Sequence, residues 1–130
     1  MPINLKIVTP SGEYLNQEIN KIGFKNDMGR IVILPNYTPY VTNVQIDEIF
    51  IEFTNNKVEK YAGNKGIFQI DHNEALLLID TIESKEEIDI RRAIEAKERA
   101  LQRINSENID IQRAEVALKK AITRIKVHDE

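Results

Sequence analysis

Residues 88–101, IDIRRAIEAKERAL, recur twenty-one positions later as residues 109–122, IDIQRAEVALKKAI. Seven of the fourteen aligned positions are identical, and they include three alanines in each copy. On a helical wheel the alanines of each copy share one face, with larger apolar residues on one side of it and basic residues on the other. Because small residues allow two helices to approach closely, the repeat predicts an antiparallel helical hairpin.

The residues that join the two copies, NSEN at 105–108, contain neither glycine nor proline. Asparagine and serine each cost only about 0.5–0.7 kcal/mol relative to alanine inside a helix. The hairpin could therefore open into one long helix at a modest local cost, provided that another surface covered its apolar stripe. The sequence thus permits the hypothesis of a conformational switch.

Residues 1–83 show a different pattern, that of a β domain. Eight short segments rich in branched residues alternate with turn signals, as in a sandwich or barrel. The predicted strands are residues 4–8, 19–25, 31–34, 39–44, 48–53, 58–62, 67–70 and 75–82. Ser84-Lys-Glu-Glu87 is then a capping-box sequence, which marks the start of the helical part. The predicted fold class is α+β in sequence-separated halves: an N-terminal β-sandwich or barrel, residues 1–83, followed by a C-terminal antiparallel two-helix hairpin, residues 84–130.

Composition argues against several functional classes. The 130 residues contain no cysteine, and His72 and His128 are far apart, so neither a disulfide scaffold nor a zinc site is expected. No apolar run approaches the roughly 20 residues that span a bilayer, and the N-terminus resembles neither a signal nor a transit peptide. A net charge of −3 gives no indication of a nucleic-acid partner. No P-loop or Ser/His/Asp set occurs, so we expect no catalytic residues.

Two sets of charged residues in the helical part each permit two interpretations. Asp89, Arg92 and Arg99 are spaced along one side of the first helix. They form either a surface ion pair beside a solvated basic edge, or an anion site in which guanidinium groups grip phosphates. The second set consists of Lys119, Lys120, Arg124 and Lys126. These cations either complement the negative end of the helix dipole or dock on an acidic partner.

Short motifs spread over the whole chain carry a resemblance to a known family. In the β part they are Val8-Thr-Pro-x-Gly12, Gly29 with Ile33-Leu-Pro35, and Pro39-x-Val41. In the junction and first helix they are Asp80-Thr-x-Glu83, Glu87-Ile-Asp89, Arg92-Ala93 and Lys97-Glu-Arg-Ala100. In order and spacing these fragments resemble the ε subunit of bacterial F-type ATP synthases. The chain departs from that pattern at Val32 and Lys65, where the family has glycine, and at Asn36-Tyr37, where it has Gly-His.

The resemblance implies a non-catalytic central-stalk subunit of a proton- or sodium-translocating ATP synthase. Its sandwich would bind the γ subunit and the c-ring, and its hairpin would either fold on the sandwich or extend along γ toward the α/β catalytic subunits. The extended hairpin would restrain ATP hydrolysis through basic contacts with the catalytic head, namely Lys119, Lys120, Arg124 and Lys126. The subunit would be a monomer in isolation. In the complex it would lie peripherally on the cytoplasmic face of the cell membrane, associated with the membrane only through the c-ring.

The resemblance also implies a regulatory ligand, although no required cofactor. In some members of the family ATP binds the folded hairpin through an I-D-x-x-R-A motif. By matching position, the implied ATP-binding residues are Glu83, Ile88, Asp89, Arg92, Ala93, Arg99, Lys120 and Arg124. Lys120 stands where the family often has arginine, so bidentate geometry would be lost there. Two alternatives stay open at this stage, a free-standing nucleotide-sensing module and an adapter for protein docking, both without an F1 partner.

Overall fold

The computed structural model describes residues 2–104 and 111–130, so the predicted connector at 105–108 lies outside the described residues. The strands, in chain order, are β1 (Ile3–Thr9), β2 (Gly12–Asn26), β3 (Gly29–Ile33), β4 (Tyr40–Val44), β5 (Asp47–Phe53), β6 (Val58–Gly63), β7 (Gly66–Asp71), β8 (Glu74–Ile79) and β9 (Ile82–Ser84). A 3₁₀ turn (Lys85–Glu87), α1 (Ile90–Ile104) and α2 (Ile111–Asp129) follow them.

The strands form one continuous sheet that folds over a single core. Its order is β4-β7-β8-β1-β2-β5-β6-β9, with β3 paired to β2 outside this path. The 15-residue β2 pairs with β1 through its first half and with β3 and β5 through its second half, so it links the two parts of the sheet. Buried side chains from both parts meet between them; the rings of Phe24 and Phe68, for example, have centroids 5.0 Å apart. The predicted β-sandwich is confirmed.

Two predicted strands differ by more than two residues from those in the structure, and one of these differences decides where the helices begin. β2 starts at Gly12 instead of residue 19. The segment predicted as one strand over 75–82 divides into β8 and β9, which lie in different parts of the sheet. β8 pairs with β1 and β7, whereas β9 pairs with β6. The break therefore carries the chain to the edge of the sheet from which the helical part continues.

The start of the helical part contains two separate caps. The predicted capping box forms, with the backbone N–H of Ser84 donating to Glu87 Oε1 at 2.9 Å, but it caps the 3₁₀ turn. The long helix α1 begins later, where Asp89 Oδ1 accepts a hydrogen bond from the backbone N–H of Arg92 at 3.2 Å. This is the geometry of an N-cap, in which a side-chain oxygen satisfies an amide of the first turn.

The alanine faces of the two helices pack together, as the repeat predicts. Ala93 and Ala100 of α1 and Ala114 and Ala121 of α2 are all buried at the helix–helix contact. The larger apolar residues stay largely outside it: the exposed fractions of Ile94, Leu101 and Ile122 lie between 42% and 45%. The two described helices thus meet through small residues and leave an apolar stripe accessible.

α2 lies on the outer face of β5 and β6. Val127 of α2 is fully buried and clusters with Ala62 of β6 and with Ile88. In β5, Ile49 points into the sandwich core, whereas Glu48, on the opposite face, is only 8% exposed. The alternation of acidic and apolar residues in β5 is typical of a strand with one solvated face, but α2 covers Glu48 on that face.

Candidate functional site

A cleft of about 470 Å³ lies between the start of α1, the second half of α2 and the β9 region. Its volume is within the range of small-ligand pockets. The lining residues are Glu83, Glu87, Asp89, Arg92, Ala93, Glu95, Ala96, Arg99 and Arg124. Six of the eight residues that the resemblance assigns to ATP binding line this cleft, namely Glu83, Asp89, Arg92, Ala93, Arg99 and Arg124. The fold thus brings together residues that are up to 41 positions apart in the sequence.

Arg92 and Arg99 place two guanidinium groups on the α1 side of the cleft. They are seven residues apart, about two helical turns, and both are exposed. Neither side chain forms a hydrogen bond or ion pair with any residue in 2–104 or 111–130. Both groups are therefore available to an anion, and each offers the fork of donors that suits a phosphate.

Asp89 has a structural role that the sequence did not predict. Its Oδ1 caps the backbone N–H of Arg92, and no ion pair joins the charged side chains of these two described residues. The interpretation of these residues as an i,i+3 surface ion pair is therefore wrong. Because a carboxylate has a second oxygen, Asp89 could still accept a hydrogen bond from a ligand while it caps α1.

Arg124 reaches the cleft from α2 and is already paired. Its Nε donates to Oε1 of Glu83 at 2.7 Å, and both side chains are about 30% exposed, so the pair is only partly screened by water. This contact joins α2 to β9. An anion that binds Arg124 must share it with Glu83 or use the guanidinium nitrogens that Glu83 leaves free.

Glu87 lines the cleft and connects it to the sandwich. The hydroxyl of Tyr14 in β2 donates to Glu87 Oε1, and the Ser84 backbone N–H donates to the same atom. Burial alone would raise the pKa of Glu87, but these hydrogen bonds outweigh burial and lower the pKa. Burial and the adjacent Glu87 carboxylate in turn raise the pKa of Tyr14. Glu87 is therefore anionic at neutral pH and binds the 3₁₀ turn to β2.

Two of the residues assigned to ATP binding lie outside the cleft. Ile88 is buried in the small cluster with Ala62 and Val127, so its side chain supports the junction between sandwich and helices. Lys120 lines a neighbouring crevice beside the β6–β7 turn, and only Arg124 is common to both spaces.

Three lining residues were not predicted as part of the site. Glu95 and Ala96 lie one turn beyond Arg92, so helical spacing from Arg92 would have found them. Glu87 was assigned to the capping box and to a family motif but not to the ATP site. Its contact with Tyr14 spans 73 residues, which local sequence does not reveal. The cleft holds four carboxylates and three guanidinium groups. Because Glu83, Glu87 and Asp89 already accept hydrogen bonds from the protein, their charge is partly compensated.

The basic row of α2 meets acidic residues of the chain's own sandwich. Lys126 Nζ lies 4.0 Å from Asp47 Oδ1 and 3.8 Å from Glu48 Oε2. Arg124 is bound by Glu83, as described above. Lys119 and Lys120 form no ion pair with the residues that the structure describes. In this arrangement half of the row is therefore engaged, and any other acidic surface would have to compete with the sandwich for it.

No helix in the described ranges is long and apolar enough to cross a bilayer. Nor do these ranges contain a group of three or more His, Asp or Glu side chains placed to hold a metal ion.

Comparison with known proteins covers nearly the whole chain. Residues 2–85 match the family described as the ATP synthase delta/epsilon chain beta-sandwich domain, and residues 86–129 match its long alpha-helix domain. The sodium-ion-specific ATP synthase epsilon chain of Acetobacterium woodii is 41% identical over 103 residues, which is 79% of this chain and 77% of that protein. An ATP synthase epsilon chain of Desulfitobacterium hafniense is 40% identical over 101 residues, 77% of this chain and 75% of that protein.

Solved structures show the same fold. A chain in the OSCP/F1/c-ring structure of Euglena gracilis mitochondrial ATP synthase matches with a TM-score of 0.86 at 18% identity, covering 99% of this chain and 82% of that one. A chain in the central stalk/c-ring structure of Tetrahymena thermophila mitochondrial ATP synthase matches with a TM-score of 0.64 at 16% identity, covering 99% and 95%. With two family domains matched in order and relatives at about 40% identity, the chain belongs to the delta/epsilon chain family of the F-type ATP synthases.

Proposed function

We propose that the chain is a non-catalytic central-stalk subunit that couples F1 to the c-ring and restrains ATP hydrolysis through its helical hairpin. In this proposal ATP is a regulatory ligand that binds the cleft and favours the hairpin docked on the sandwich. The subunit lies peripherally at the cytoplasmic face of the membrane, where only the c-ring complex holds it.

The composition of the cleft carries the proposal for ATP. Its cationic walls come from α1, through Arg92 and Arg99, and from α2, through Arg124, while Glu83 belongs to β9. A polyphosphate that contacts both helices requires the antiparallel hairpin, and a contact near Glu83 also requires the hairpin to be docked. If α2 moves away from the sandwich, these groups separate and the site no longer exists.

Binding and docking are then linked thermodynamically. A ligand that binds only the docked hairpin stabilises it by RT ln(1 + [ATP]/Kd). At a tenfold excess over Kd this is about 1.4 kcal/mol, or about a tenfold shift in the docking equilibrium. Such a shift controls the hairpin only if the docked and extended arrangements are close in free energy.

The ion pairs of α2 support a competing role for the same cations. Arg124 and Lys126 are held by Glu83, Asp47 and Glu48 while the hairpin is docked. Undocking releases both cations. Together with Lys119 and Lys120 they then form a basic surface that can meet acidic segments of the catalytic subunits. Docking thus sequesters part of the inhibitory surface.

An apolar patch on the outer face of the other half of the sheet is the proposed γ contact. Ile67 of β7 lies opposite Leu78 of β8, which is in register with Val8 of β1, so these side chains share one face. Ile67 is 52% exposed and Leu78 46%. Val41 of β4, 66% exposed, extends the patch across the next strand. Contiguous exposed apolar surface of this kind is typical of a protein interface.

Co-purification with γ tests this part of the proposal. We expect the chain and γ to elute as one complex, and we expect Ile67→Asp to disrupt it. Val58→Asp is the matched control, because Val58 is a similarly exposed apolar residue on β6, outside the patch. A well-folded parent chain with no affinity for γ would overturn the proposed role in the stalk.

A further inference from the structure

A group of four charged residues joins the end of α2 to the outer face of β5 and β6. We call Glu48, Lys60, Lys126 and Glu130 the docking cluster. Lys60 Nζ lies 2.9 Å from Glu130 Oε2 and 3.8 Å from Glu48 Oε1. Lys126 Nζ lies 3.8 Å from Glu48 Oε2. The sandwich contributes one acid and one base, Glu48 and Lys60, and the C-terminal end contributes the other two, so the cluster exists only while α2 is docked.

Glu48 is the unusual member of this cluster. Its side chain is 10% exposed, and its Oε2 is inaccessible to solvent and has no hydrogen-bond partner among the described residues. An ionised carboxylate oxygen in that position is costly, whereas a protonated carboxyl group can donate to a neighbouring acceptor. Burial raises the pKa of Glu48 and the adjacent carboxylate of Glu130 raises it further, and together they outweigh Lys60 and Lys126, which lower it. The nearby carboxyl group of Glu48 and the ammonium group of Lys60 lower the pKa of Glu130.

The other charged groups around the cluster do not supply the missing partner. Arg30 Nη1 donates to the backbone carbonyl of Glu48 at 2.7 Å, and Asp47 accepts from the Glu48 backbone N–H at 2.7 Å. Lys85 Nζ donates to the backbone carbonyl of Glu130 at 2.9 Å. The ring Nδ1 of His128 lies 3.1 Å from Asp129 Oδ1.

We propose that Glu48 and Glu130 share one proton while the hairpin is docked, so that α2 binds the sandwich more tightly at mildly acidic pH than at alkaline pH. The cluster is then a pH-sensitive contact between the hairpin and the sandwich. It lies outside the cleft, and it requires neither ATP nor another subunit.

The sign of the effect follows from linkage. Glu48 binds its proton more tightly in the docked state than in the undocked state, where α2 no longer buries it. Its contribution to docking is therefore fully present below its pKa in the undocked state and is lost as pH rises through its pKa in the docked state. In stronger acid Glu130 also becomes protonated and loses its ionic contact with Lys60, so docking weakens again.

Amide hydrogen exchange on the full chain tests the proposal. The readout is the protection factor of α2 amides, corrected for the intrinsic pH dependence of exchange and referred to core amides of β1 and β8. As pH rises from about 4.5, the ordinary pKa of a glutamate carboxyl group, to about 8, we expect α2 protection to fall by about threefold to tenfold. No change, or a rise, would overturn the proposal.

Three variants separate Glu48 from other groups. Glu48→Gln keeps the shape of the protonated acid, so we expect α2 protection that no longer depends on pH over this range. Glu52→Gln is the matched control, because Glu52 is on the same strand but pairs with Lys21 within the sandwich; it must behave as the parent. His128→Gln must also retain the pH dependence. If Glu48→Gln retains the pH dependence of α2 protection, or His128→Gln removes it, Glu48 is not the group that causes the pH dependence.

Glu130→Gln provides a second test. Because Glu130 is exposed beyond the end of α2, we expect this variant to fold as the parent does. Without the facing carboxylate only burial raises the pKa of Glu48, so the loss of α2 protection should move to lower pH. An unchanged midpoint would show that the two carboxyl groups do not share a proton.

Discussion

Replacement of Arg92 by alanine is the cleanest perturbation of the proposed ATP site. The side chain of Arg92 is exposed and has no hydrogen-bond or ion-pair partner among the described residues, so its truncation orphans no other group of the protein. We therefore expect the free energy of unfolding to change by less than about 0.5 kcal/mol. Asp89→Ala is a poorer probe, because it also removes the N-cap of α1 and costs about 1 kcal/mol of helix stability.

The expected loss of affinity follows from the contacts that Arg92 can make. Hydrogen bonds to charged groups contribute about 1.5–3 kcal/mol each, and solvent exposure at the cleft favours the lower end. A loss of about 1.5 kcal/mol corresponds to roughly tenfold weaker ATP binding. Arg92→Lys should lose less, because it keeps the charge but not the fork of donors.

Isothermal calorimetry with ATP, with and without Mg²⁺, measures this effect. Arg91→Ala is the matched control, since Arg91 is the adjacent arginine of the same helix and does not line the cleft. Arg92→Ala should bind more weakly than Arg91→Ala. Equal affinity of Arg92→Ala and the parent chain, or no ATP binding by the parent at all, would refute the assignment of the cleft.

Two further predictions concern stability. A methyl group added by Gly23→Ala would overlap the ring of Phe50, so we expect the free energy of unfolding measured in urea to fall by about 1–3 kcal/mol. Parent-like stability would contradict this and show that the strand or the ring can shift. The lowered pKa of Glu87 contributes stability that is present above its pKa in the unfolded chain and is lost as pH falls through its pKa in the folded chain. Glu87→Gln should therefore be less stable than the parent at pH 7 but not in strong acid, and an equal deficit at both pH values would rule out the ionised form as the stabilising species.

The repeat in the sequence predicts the hairpin well because its information is local. Alanines at helical spacing can pack only in a narrow set of ways, and Ala93, Ala100, Ala114 and Ala121 are buried at the helix contact. The same local information does not distinguish a cap from an ion pair. Asp89 fits both patterns, and the structure shows the cap.

The other features that the sequence did not predict depend on contacts between elements that are far apart in the chain. The alternation around Glu48 is that of a strand with one solvated face, and nothing in those residues indicates that α2 covers it. The break between β8 and β9 places Glu83 beside Arg124, which comes 41 residues later in the sequence. The early start of β2 places Tyr14 beside Glu87. The resemblance to a family supplied six of the nine residues that line the cleft, but not that Ile88 is buried outside it.

A lock on the docked hairpin tests the regulatory account most directly. Because the chain has no cysteine, Lys60→Cys and Glu130→Cys introduce a unique thiol pair at residues whose side-chain tips meet. A short thiol-specific crosslinker then holds α2 on the sandwich. In F1 reconstituted with γ, the account predicts faster ATP hydrolysis after crosslinking than in the same double variant without crosslinker. Unchanged hydrolysis, with crosslinking verified, would contradict it.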